Sequence, residues 1–170
     1  MYSRHKEAIG QVPASMEAVF DFLDDHQRLA SHMSKRSWMM AGGRMDTILD
    51  DAHGRQVGSR IIVRGRVFGF LLSLGERVIE RVPPSRKAWE TEGEPRLLVV
   101  GAYRMGFELS PGTLTAARVW IDYDLPSRGV SRWIGVLLGS WYAKWCVRRM
   151  LGDVQRTFVV SQASPDKQLA

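Results

Sequence analysis

Between residues 45 and 125 the apolar residues of this chain recur at every second position, and on either side of that stretch they recur at every third or fourth. Such a pattern calls for a sheet built from neighbouring hairpins, with helices before and after it. Turn signals divide the alternating stretch at Asp51-Ala-His-Gly54, Val82-Pro-Pro-Ser85, Glu92-Gly-Glu-Pro95 and Ser110-Pro-Gly112. Leu97, Val99, Tyr103, Met105, Phe107 and Leu109 share one parity, against Arg104, Gly106 and Glu108 on the other. Val119, Ile121, Tyr123 and Leu125 repeat this against Arg118, Asp122 and Asp124. Each strand therefore has a buried face and a wetter one. In Val57 to Val67, Ile61, Val63 and Val67 oppose Arg60, Arg64 and Arg66, which puts three guanidinium groups on an outer face. Phe68 to Val82 is apolar on both parities as far as Leu74, so its register stays open, with Gly69 and Gly75 as candidate bulges.

Outside that stretch the chain reads as one further strand followed by helices. Arg4 to Val12 predicts a short strand, and Ser15 is placed to cap a helix over Met16 to Asp24, where Met16, Val19, Phe20 and Leu23 form an apolar face. Gln27 to Ser31 continues as a second short helix before the irregular stretch His32 to Arg44. From about Ser131 to Val160 runs the longest helix, with Val136, Ser140, Ala143, Val147, Met150, Val154 and Phe158 as its docking stripe. Ile134, Leu138, Trp141, Tyr142 and Trp145 fall outside that stripe and need another cover, or a ligand, partner or lipid to meet. A polar tail occupies 161–170, leaving residues 1–160 as one domain.

A chain of 170 residues suffices for one domain that buries roughly 70% of its unfolded surface. Its 45% hydrophobic and 25% charged residues argue against disorder and against a polytopic membrane protein. The lone Cys146 can form no internal disulfide, which points to a reducing compartment, and residues Met1 to Lys6 lead into no apolar signal segment; the expected location is cytoplasmic. A net charge of +6 permits acidic partners without naming one. No recognised nucleic-acid module accompanies it, so nucleic-acid binding is not expected. His5, His26, His32 and His53 lack the spacing of metal ligands, and no metal or other cofactor is expected. Asp24 with Asp25, and Asp50 with Asp51, stand next to turns, where acidic residues cap and solvate the chain.

Three motifs stand in an informative order: Val12-Pro-Ala-Ser-Met-Glu-Ala-Val-Phe-Asp-Phe-Leu23, Glu80-Arg-Val-Pro-Pro-Ser-Arg-Lys-Ala-Trp89 and Val119-Trp-Ile-Asp-Tyr-Asp-Leu-Pro126. With the order strand, helix pair, antiparallel strands and long last helix, they resemble the SRPBCC superfamily, which includes START lipid-transfer domains, birch-pollen-allergen-like proteins and polyketide cyclases. Ser37-Trp-Met-Met-Ala-Gly-Gly-Arg-Met45 and Tyr103-Arg-Met-Gly-Phe107 look like marks of a bacterial subgroup. The resemblance implies an α+β helix-grip fold: six to seven antiparallel strands curved around the long C-terminal helix, with two short helices after the first strand.

It also implies a cavity between sheet and helix that holds a sterol, lipid, polyketide or other apolar molecule. The expected lining is Val63, Trp89, Tyr103, Met105, Phe107, Val119, Ile121 and Tyr123 from the strands and Leu137 and Trp141 from the helix. Trp38, Met39 and Met40 would form a loop over its mouth, hinged at Gly42-Gly43, or else complete the core. Catalytic groups are scarce among the inward positions: Tyr103, Tyr123, Thr115, Ser59 and Cys146. A polyketide cyclase or aromatase could work with Tyr103 or Tyr123 polarising a carbonyl. A third reading has the basic, Trp-rich last helix docking on a membrane surface or a protein partner. Oligomeric state is not legible in the sequence.

Overall fold

A computed structural model of the chain describes residues 2–28, 44–67, 70–97, 99–126 and 129–162. β1 spans Arg4–Val12 and α1 Met16–Asp24; then follow β2 (Arg44–Leu49), β3 (Arg60–Val67), β4 (Phe70–Val82), β5 (Arg86–Arg96), β6 (Tyr103–Ser110) and β7 (Thr115–Tyr123), and α2 (Gly129–Gln162) closes the order. The strands form one antiparallel sheet in the order β1-β7-β6-β5-β4-β3-β2. This is the expected helix-grip arrangement with seven strands: α2 lies across β1 and β7, while α1 packs on β6 and touches α2.

The local reasons match the sequence in several places. Ser15 is extended and its hydroxyl accepts the Ala18 N–H at 3.3 Å, which starts α1 at Met16. Asp25 then accepts the N–H groups of Gln27 and Arg28 at 3.0 and 3.2 Å, opening a helical turn over 26–28 at the edge of the described residues. In β6 and β7 the expected inward parity holds at Tyr103, Met105, Phe107, Leu109, Val119, Ile121 and Tyr123, all buried. Leu97, Val99 and Leu125 lie beyond the ends of these strands and are half-buried, and Gly106 of the other parity is buried too. Phe20 of α1 meets Phe107 edge to face at 5.5 Å, tying the helix to the middle of the sheet.

Elsewhere the structure corrects the reading. Glu92-Gly-Glu-Pro95 is no turn; it lies inside β5, where Gly93 takes a φ of +74° and the pairing with β4 slips. The register slips in β4 fall between Ser73 and Gly75 and between Val78 and Glu80. β3 starts at Arg60 because Asp50 accepts the Arg60 N–H at 2.7 Å and the Ser59 hydroxyl at 2.5 Å, holding the preceding residues in a tight turn. Arg60 pairs with Glu92 at 3.0 Å, and the Arg66 side chain lies outside the described set. α2 runs through Gln162, two residues into the expected tail.

The docking face of α2 also differs. From Ala143 on, the predicted stripe is buried at Val147, Met150 and Val154, but in the first turns the face against the sheet is Gly135 and Gly139, and Val136 is exposed. A Cβ on Gly135 would stand 2.6 Å from Pro126 Cδ and 2.9 Å from the Val99 carbonyl oxygen; one on Gly139 would stand 3.2 Å from that same oxygen. Close approach, rather than hydrophobicity, selects this face.

Candidate functional site

The inner face of the sheet is an apolar wall crossed by one polar row. Val63, Leu74, Val78, Trp89, Met105, Phe107, Val119 and Ile121 make up the wall, all buried. The row runs through paired positions on four strands: Glu76 of β4 opposite Thr91 of β5, Thr91 accepting the Tyr103 N–H of β6 at 3.2 Å, and Tyr103 opposite Tyr123 of β7.

Glu76 is the centre of this row. The Tyr103 hydroxyl reaches across β5 to hydrogen-bond its Oε1, and the Trp89 indole N–H donates to the same carboxyl. Neither donor carries charge. Burial is the largest influence and pushes the Glu76 carboxyl up to about 7, with the two hydrogen bonds and the more distant Lys87 ammonium pulling the other way. Tyr103 is raised well above its ordinary value, first by burial and then by Glu76. Tyr142 and Cys146 on α2 hydrogen-bond to each other and sit close enough for their charged forms to repel those of Glu76 and Tyr103; burial puts the Cys146 thiol at about 12. At the end of the row the Tyr123 hydroxyl is buried without a partner among the described residues.

Eight of the expected lining residues thus share this face: Val63, Trp89, Tyr103, Met105, Phe107, Val119, Ile121 and Tyr123. Leu137 and Trp141 do not. They are 77% and 56% exposed, each two residues, and so about half a turn, from a glycine that docks. Trp38, Met39 and Met40 lie outside the described residues. Ser59 and Thr115 are spent on structure, the second donating to the Ala14 carbonyl at 2.6 Å. Sequence reasoning missed Glu76, although it shares the parity of the buried Leu74 and Val78.

A second buried cluster lies under the end of α1. Asp24 Oδ1 takes the Lys87 ammonium at 2.5 Å, Oδ2 takes Arg81 at 2.8 Å, and Lys87 also donates to the Asp24 carbonyl at 3.1 Å. Burial opposes the Asp24 charge, yet the hydrogen bonds from Arg81 and Lys87 hold its carboxyl below the ordinary range. Asp24 is therefore a buried ion-pair partner, not the solvated cap expected of it; Asp25 and Asp50 do cap. His26 packs edge-on against Trp89 at 5.0 Å with its Nε2 unpartnered among the described residues, and burial pushes its pKa down to about 3. Among the described residues no three His, Cys, Asp or Glu side chains gather in a way that could hold a metal ion.

No family model matches the chain, and no curated protein is significantly similar to it in sequence. Solved structures do share its fold. A protein from Chromobacterium violaceum superimposes with a TM-score of 0.61 at 16% identity over 92% of this chain and 98% of its own. Ara h 8.0201 gives 0.54 at 10% identity over 88% of this chain and 98% of its own. The major latex-like protein 151 of Panax ginseng gives 0.52 at 11% identity over 89% and 97%. All three share the antiparallel sheet with a long C-terminal helix seen in this chain. At such identities the likeness is one of fold alone.

Proposed function

We propose that this chain binds an apolar small molecule, lipid-like, sterol-like or polyketide-like, between the inner face of the sheet and α2, and that Glu76 and Tyr103 receive its polar end. The observation that carries the reading is Glu76 itself. A carboxyl buried in an apolar wall with only neutral donors costs stability, and such groups are characteristic of functional sites rather than of ordinary cores. The row gives a bound molecule something to recognise: a carboxyl that titrates near neutrality and a Tyr123 hydroxyl with hydrogen-bonding capacity to spare. The helix-grip fold of the structural neighbours, together with motifs resembling a bacterial subgroup of that superfamily, supports the same reading.

Native mass spectrometry of the protein as purified, followed by solvent extraction, tests this. Co-purified apolar material, or saturable uptake of an apolar dye that is weakened by Glu76→Gln, is the expected result. A protein that takes up neither would overturn the reading.

Glu76 also favours a second reading, of the cyclase or aromatase type, because it supplies the base that the inward tyrosines lacked. A carboxylate with a pKa near the working pH can take a proton from carbon beside a carbonyl while Tyr103 donates to the developing enolate oxygen. Tyr103→Phe and Glu76→Gln should then abolish turnover of a candidate polyketide with the fold intact, and undiminished turnover would reject it.

A further inference from the structure

On the outside of α2 the structure leaves a patch that small-molecule binding does not use. Trp133, Leu137 and Trp141 follow one another at four-residue spacing and are 73%, 77% and 56% exposed. Lys144 and Arg148 continue the same face one and two turns further on, both exposed. From Gly129 to Gly152 the helix contains no acidic residue, while Arg132, Lys144, Arg148 and Arg149 are all basic. The next carboxylate, Asp153, is already held by Arg149 and Arg156. Among the described residues no carboxylate pairs with Arg132, Lys144 or Arg148.

We infer that this face of α2 docks on an anionic membrane surface. The tryptophans and Leu137 match the acyl boundary and the cations match lipid phosphates, the composition of a helix that lies in an interface. No described helix is long and apolar enough to cross a membrane, so the contact is a peripheral one. Two other occupants fit less well. A second copy meeting this face would cover Trp133, Leu137 and Trp141 but bring no counter-charge to Lys144 and Arg148, since the helix carries no acidic residue from Gly129 to Gly152. A nucleic acid would find the cations but gain nothing from Leu137.

Flotation of the full chain with phosphatidylcholine vesicles, with and without phosphatidylglycerol, at low and high salt, tests the inference. Binding is expected only with the anionic lipid, and it should fall as salt rises. Joint replacement of Trp133, Leu137 and Trp141 by Ser should abolish it with an unchanged circular dichroism spectrum, and Lys144→Glu with Arg148→Glu should weaken it by about tenfold. No flotation, equal flotation with neutral vesicles, or flotation untouched by the triple replacement would overturn the inference. So would a dimer in solution that the triple replacement splits while vesicles remain unbound. Uptake of an apolar dye by the triple variant tests the interior separately.

Discussion

Among the described residues two carboxylates are buried, and they are kept in opposite ways. Asp24, under the end of α1, sits between the Lys87 ammonium and the Arg81 guanidinium and stays ionised. Glu76, on the inner wall of the sheet, has a phenol and an indole as its hydrogen-bond partners among the described residues and is pushed toward its neutral form. The first is a fastener joining α1 to β4 and β5. The second links β4 to the Tyr103 hydroxyl of β6 with no cation to balance its charge, which is why it is better explained by what it can bind.

The largest expected effect breaks the fastener. Asp24→Ala leaves Lys87 buried and unpaired and should cost about 3–5 kcal/mol in chemical denaturation. Asp24→Leu combined with Lys87→Met should recover much of that loss; a double variant as unstable as the single one would show that the pair does more than neutralise itself.

Glu76→Gln should act with the opposite sign. A pKa raised from 4.5 to about 7 means that Glu76 favours the folded state fully below pH 4.5 and that this contribution is lost as pH rises through 7, amounting to about 3 kcal/mol. Glu76→Gln should therefore gain about 3 kcal/mol at pH 8 but only about 1 kcal/mol at pH 5. A flat difference between the two pH values would contradict it. Asp24 runs the other way: its lowered pKa favours folding above the ordinary 3.8, and that contribution is lost as pH falls through the lowered value. The smallest effect belongs to Tyr103→Phe, about 1 kcal/mol, with a sharper signature. The hydrogen bond from Tyr103 lowers the Glu76 pKa, so its removal should move the Glu76 titration upward in carboxyl-carbon NMR.

The two carboxylates also show what could be read in the sequence and what could not. The frame was legible wherever one signal acts alone: Ser15 caps α1 where expected, and the inward parity holds from Tyr103 to Leu109 and from Val119 to Tyr123. Both carboxylates were hidden. Glu76 stands in a strand with two register slips, next to a stretch apolar on both parities, so alternation could not say which way it points. Asp24 reads as a cap because it neighbours a turn, and its partners Arg81 and Lys87 lie more than fifty residues away. Leu137 and Trp141 were misplaced because the true docking face is marked by small residues, which hydrophobic periodicity does not register.

The pairing of β1 with β7 bears on how the chain comes to be folded at all. Arg4 lies opposite Tyr123 and Val12 opposite Thr115, so among the described strands the first finds its one neighbour after more than a hundred intervening residues. α2, which lies across both strands, comes later still. On a ribosome the first strand must wait, unpaired, until nearly the whole sheet has been made. Closing so long a loop is slow, so β1 is an exposed edge for the longest time of any strand and the segment most in need of protection from other chains while synthesis proceeds.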